Sequence, residues 1–127
     1  MTVALWCILI AIFLPYVCVA IAKVVGGYGL KDNHDPRDFL ESLNGLGRRA
    51  HAAQQNSFEI TPAFAAAVIV AHLAGNAELV TINVLSVLFI TSRLLYIICY
   101  LADWHILRSL VWFVGLGLIV SFFVVSV

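Results

Sequence analysis

Charged side chains are what this sequence has least of. Seven basic and seven acidic residues make up 11% of its 127 positions, against about 25% in ordinary soluble domains. With 63% of the residues hydrophobic and a mean hydropathy of +1.04, a water-soluble globule is excluded and an integral membrane protein is implied. The formal net charge is zero, so there is no bulk field to hold nucleic acid. Cysteine is scarce as well. Cys7, Cys18 and Cys99 all lie inside apolar runs, with neither metal-ligand spacing nor a disulfide framework, and read as reduced packing residues. His34, His51, His72 and His105 are scattered, so no metal site is expected. The length allows one compact bundle, a single domain over residues 1–127, and no separate soluble domain.

What is present is apolar runs. Val3 to Val25 carries one charge, Lys23, with no basic stretch before it and no small-residue cleavage site after it. That is too long for a signal core and about right to cross ~30 Å of hydrocarbon. Three further runs follow: Phe58 to Ala74, Leu79 to Leu101 and Ile106 to Val127. The second is short, and its helix is expected to start earlier, near Pro36 to Glu41, and leave the membrane as a polar extension. The expected fold is therefore all-α, a bundle of four transmembrane helices. Asp32 and Asp35 before Pro36 read as turn and N-cap chemistry. Trp6, Trp104 and Trp112 read as interfacial anchors, and Gly115 and Gly117 as sites of close helix contact.

Five of the seven basic residues, Lys23, Lys31, Arg37, Arg48 and Arg49, fall in the first connection, and none in Gly75 to Glu78. The positive-inside rule then puts the first connection in the cytoplasm and both termini outside. In that topology the start of the second span (Arg49, Asn56, Glu59), the end of the third (Arg93, Tyr96, Tyr100) and the start of the fourth (Arg108) share one level. The other level offers only His72, Asn76, Glu78 and Asn83. The functional half is expected to be the cytoplasmic one. His51 reads as solvent-facing on the polar extension.

Helical spacing makes stripes of Arg49, Asn56 and Glu59 and of Arg93, Tyr96 and Tyr100. A carboxylate and an arginine inside a membrane each cost several kcal/mol unless paired. The bland reading pairs Glu59 with Arg93 as a register device. The excess of other polar groups, Arg49, Arg108, Gln54, Asn56 and the two tyrosines, favours a pocket for a small charged molecule.

Three segments, DNHDPR (Asp32–Arg37), RRAHAAQQNSFEITPAFAAAV (Arg48–Val68) and SRLLYIICYLADWHILRSL (Ser92–Leu110), carry a resemblance. The second has R-A…N-x-x-E-x-x-P at Arg49, Ala50, Asn56, Glu59 and Pro62. The third has R-x-x-Y-x-x-x-Y at Arg93, Tyr96 and Tyr100, then Arg108. In order, and with four spans, they resemble the MAPEG family, membrane-associated proteins in eicosanoid and glutathione metabolism, in its small bacterial branch. The resemblance implies a homotrimer in the bacterial inner membrane, with glutathione as co-substrate bound between protomers and open to the cytoplasm. It implies that Arg108 stabilises the thiolate and that Arg49, Gln54, Asn56, Glu59, Arg93, Tyr96 and Tyr100 bind glutathione. A lipophilic second substrate would arrive from the membrane lipids. Four positions before the asparagine, where glutathione-binding members carry an arginine, the residue is Ala52.

The first function class is thus a glutathione-dependent transferase or peroxidase acting on lipophilic electrophiles or lipid hydroperoxides. The alternative is a non-catalytic scaffold, or a binder of lipid or small acids, in the same fold. A transporter or channel does not fit four short spans without an inverted repeat or a polar midplane path.

Overall fold

The computed structural model describes all residues 1–127. The chain forms α1 (Val3–Gly26), a 3₁₀ turn (Leu30–His34), α2 (Pro36–Glu41), α3 (Gly45–Ala74), α4 (Leu79–Leu101) and α5 (His105–Val124). Four of these, α1, α3, α4 and α5, are long and apolar enough to cross a membrane, so the four-span reading holds. The expected early start of the second spanning helix does not. Pro36–Glu41 is a separate short helix, with the Asp35 carboxylate accepting from the amide of Asp38 at 3.1 Å. Between it and α3 the chain turns extended at Asn44 (φ −126°) and left-handed at Gly45 (φ +58°). A residue without Cβ adopts that second conformation at little cost, and the Asn-Gly pair begins α3 after α2 has ended at Glu41.

α1 packs most extensively on α3, α5 most extensively on α4, and α3 also meets both α4 and α5. Helices in lipid gain little from the hydrophobic effect when they meet, so packing of small residues carries the association. The contact faces fit that rule. α1 buries Ala4, Cys7, Ala11, Cys18 and Ala22, and α3 buries Gly47, Ala50, Ala53, Ser57, Ala67 and Ala71. All three cysteines are free and buried, as the apolar runs imply. Larger side chains fill the centre, where Phe64 of α3 stacks on Phe89 of α4 (centroids 4.1 Å apart) and meets Phe122 of α5 edge-on at 6.0 Å. Gly115 is buried where α5 crosses α4, and a Cβ there would lie 3.4 Å from Ser92 Oγ. Gly117 faces open space, so only the first of the two glycines serves close contact.

The polar residues at the terminal end of the bundle tie helix ends together. The His72 Nδ1–H donates to the carbonyl of Val68 at 2.8 Å, which fixes the tautomer and leaves Nε2 to accept from the Thr2 hydroxyl at 3.0 Å. Asn83 Oδ1 accepts from the amide of Ala4 at 2.9 Å, and Asn76 donates to the carbonyl of Ser126 at 3.1 Å. These bonds fasten the start of α1 to α3 and α4, and the α3–α4 connection to the C-terminal residues, so His72, Asn76 and Asn83 have structural partners. The larger cluster of polar groups lies at the other end.

Candidate functional site

At that other end α3, α4 and α5 converge. On α4, Arg93, Tyr96 and Tyr100 recur at i, i+3 and i+7 and therefore share a face. That face meets α3 through the buried Ser57 and its neighbour Asn56. Arg93 is only 3% exposed. Its Nη2 donates to Asn56 Oδ1 at 2.9 Å and to Ser57 Oγ at 3.3 Å, and its guanidinium carbon lies 4.2 Å from the centroid of the Tyr96 ring. Tyr96 in turn meets Tyr100 edge-on at 5.7 Å. From the first turn of α5, Arg108 places its guanidinium carbon 4.3 Å from the Tyr100 centroid. The result is a ladder of two guanidiniums and two phenols, joined by cation–π contacts that strengthen as water is removed.

Beside the ladder is an open cleft of about 250 Å³, lined by Asn56, Tyr96, Arg108, Ser109, Trp112 and Phe113. Its α3 and α4 walls carry polar groups. Its α5 wall runs from Arg108 to the Trp112–Phe113 pair, whose rings meet edge-on at 5.2 Å. A cation on one side and an exposed aromatic shelf on the other suit a ligand with an anionic part and a neighbouring apolar reactant.

Not every expected site residue reaches this cleft. Asn56, Tyr96 and Arg108 line it, with Arg93 and Tyr100 against them in the ladder. Arg49 is committed elsewhere: its Nε and Nη2 both donate to the carbonyl of Leu101, each at 3.2 Å. Leu101 ends α4, whose last carbonyls have no partner within the helix and sit at the negative end of its dipole. Arg49 therefore caps α4 and anchors the turn Ala102–Trp104, in which Asp103 is left-handed (φ +60°). Gln54 lies on a different face of α3, where it accepts from His51 Nδ1–H at 3.0 Å and lines a recess with Arg37, Glu41, Gln55 and Phe58. His51 is half-buried there and borders the same recess. Glu59 is exposed, and the expected Glu59–Arg93 pair does not form. Neutral oxygens from Asn56 and Ser57 satisfy the arginine instead, which spares the bundle a second buried charge.

The sequence reading gave no part in the cleft to Ser57, Ser109, Trp112 or Phe113. Ser57 carried a signal, since it continues the small-residue stripe Ala50–Ala53 at helical spacing. Trp112 stands one turn after Arg108 and forms a cleft wall, although the sequence suggested a simple interfacial anchor.

The fold and this ladder define the chain as an integral membrane four-helix protein with an arginine–tyrosine cluster at one end of its bundle. The family model described as MAPEG family matches residues 3–127, essentially the whole chain, and the protein belongs to that family. A search of curated proteins and a search of solved structures each found no match.

Proposed function

We propose that the protein is a glutathione-dependent transferase or peroxidase of the membrane, acting on lipophilic electrophiles or lipid hydroperoxides. The observation that carries this reading is Arg108, which borders a cleft beside Asn56 and Tyr96 with the apolar Trp112 and Phe113 next to it. Family membership supports a glutathione-related role. The donor set also fits glutathione, whose carboxylates, peptide carbonyls and thiolate are all acceptors.

Arg108 has the central chemical role. A free thiol has pKa ~8.5, and a cation beside it raises the thiolate fraction at neutral pH. Arginine keeps its charge in a partly desolvated site, and the Tyr100 face holds its plane in place. The thiol proton leaves to solvent, the sulfur pair forms a bond to the electrophilic carbon, and the pair of the breaking bond departs with the leaving group. Trp112 and Phe113 present the electrophile from the lipid side. Asn56 and Tyr96 hold the peptide part.

The same reading includes a homotrimer with α3 near its three-fold axis. The half-exposed polar face of α3, with Gln54, Gln55 and Glu59, supports it, because such a face is costly against lipid. The protein would sit in the bacterial inner membrane with both termini outside and the cleft facing the cytoplasm, in line with the basic first connection.

A second reading, a non-catalytic scaffold or binder of lipid or small acids, is favoured by one specific observation. Arg49 is spent on the Leu101 carbonyl and position 52 is alanine, which leaves the cleft one guanidinium, Arg108, for a carboxylate. Turnover decides between the two. Purified protein given glutathione and a chlorodinitrobenzene-type electrophile forms the thioether faster than buffer does under the first reading, and at the buffer rate under the second.

A further inference from the structure

Behind Asn56 and Tyr96, outside the lining of the cleft, lies a guanidinium that the chemistry above does not use. Arg93 is buried within α4 and reaches the cleft only through its neighbours. A guanidinium has five donors and no acceptor. An asparagine against it must therefore turn its carbonyl oxygen toward the arginine, and Asn56 does so at 2.9 Å. The carboxamide is planar, so its NH₂ is left on the other side, where no group of the chain accepts from it and where Asn56 borders the cleft. Ser57 takes a second donor of Arg93 at 3.3 Å, and the Tyr96 ring lies under its plane, so the arginine is held on several sides.

We infer that Arg93 is a positioning residue which, by occupying the carbonyl oxygen of Asn56, fixes that side chain as a hydrogen-bond donor into the cleft. The polar wall then offers the Asn56 amide as a donor beside Arg108, and selects a ligand that presents a carboxylate or peptide-carbonyl oxygen to that amide while its thiolate meets the guanidinium. The orientation of Asn56 stands on the structure alone; its effect on glutathione affinity rests on the proposed function. Tuning by a buried neighbour of this kind resembles the outer-shell control of metal ligands, in which an unseen partner decides what the visible group presents.

Two measurements test it separately. In ligand-free protein labelled with ¹³C,¹⁵N-asparagine, Arg93→Gln replaces a donor-only partner with one that also accepts. The Asn56 carboxamide resonances then move while those of Asn33, Asn44, Asn76 and Asn83 stay in place. Unmoved Asn56 resonances overturn the inference whether or not glutathione is the ligand. Arg93→Lys keeps a donor-only group and serves if the glutamine variant does not fold: Asn56 signals close to wild type support the inference, and signals typical of a free carboxamide overturn it.

In calorimetric titration with reduced glutathione, Arg93→Gln weakens binding roughly tenfold in the wild-type background, the scale of one hydrogen bond to a charged ligand. In an Asn56→Ala background the same substitution costs less than about twofold, because the two residues act as one unit. Equal losses in both backgrounds make Arg93 merely structural and overturn the inference. Wild-type protein that binds no glutathione contradicts the proposed function instead, and the resonance test alone then decides the role of Arg93.

Discussion

Arg93 and Asn56, on neighbouring helices and 37 positions apart in the chain, are joined by a 2.9 Å hydrogen bond from guanidinium to carboxamide oxygen. That bond welds α3 to α4 at the level of the cleft. Arg93→Ala strands the oxygens of Asn56 and Ser57 and empties the space above Tyr96. Stability should fall by about 2–3 kcal/mol, read as a lower melting temperature in mild detergent. Glu59→Gln should leave the melting temperature of the same ligand-free protein unchanged, because the exposed Glu59 is not a partner of Arg93.

Arg49 supports the site from outside it. Its fork on the Leu101 carbonyl holds the turn from which α5 departs, and Arg108 lies in the first turn of α5. Arg49→Ala should cost about 1–2 kcal/mol of stability and should lower turnover by displacing Arg108, with glutathione affinity changed less. Arg49→Lys restores a donor but not the two-pronged geometry, and should recover only part of the stability. Thermal melting and kcat measured on the same preparations check both statements.

Much of this arrangement was legible in the sequence, for physical reasons. Four apolar runs of membrane-crossing length leave a chain little choice but to form four helices. The spacing of Arg93, Tyr96 and Tyr100 placed them on one face before any coordinates. Gln54 shows what was legible and overlooked. Two residues from Asn56 on a helix is a rotation of about 200°, so the two side chains diverge, and Gln54 lies in the recess beside α2. The Glu59–Arg93 pairing failed for another reason. Opposite charges suggest a pair, but two neutral oxygens satisfy a buried guanidinium equally well, and composition cannot tell which partner geometry will deliver. The break at Asn44-Gly45 carried a turn signal, yet the N-terminal signal at Asp35-Pro36 drew the expected helix start to a point before it.

The α4–α5 crossing gives an independent check on packing. Gly115 faces Ser92 and Phe89 with room for an ordinary methyl contact and no more. Gly115→Leu should push the helices apart and cost about 1–3 kcal/mol. Gly117→Ala meets open space and should be neutral or slightly stabilising, since alanine is the better helix former. Paired melting curves of the two variants suffice.

Asn56→Asp separates binding from folding. The carboxylate keeps an acceptor for Arg93, so the fold should survive with a near wild-type melting temperature. It also removes the NH₂ donor and sets a negative charge at the cleft, so affinity for glutathione should drop by more than about tenfold. Asn56→Ala should weaken binding too, but should also lower stability. Calorimetric titration alongside melting distinguishes the two variants.

The most direct measurement concerns the thiolate at Arg108. Glutathione is titrated into purified wild-type protein near pH 7 while the ultraviolet absorbance of the thiolate is followed. A saturable, protein-dependent thiolate signal is expected in the wild type, and Arg108→Ala should abolish that signal and turnover while leaving glutathione binding nearly intact. No ligand-dependent thiolate at saturating glutathione would contradict an enzyme that activates a thiol through Arg108.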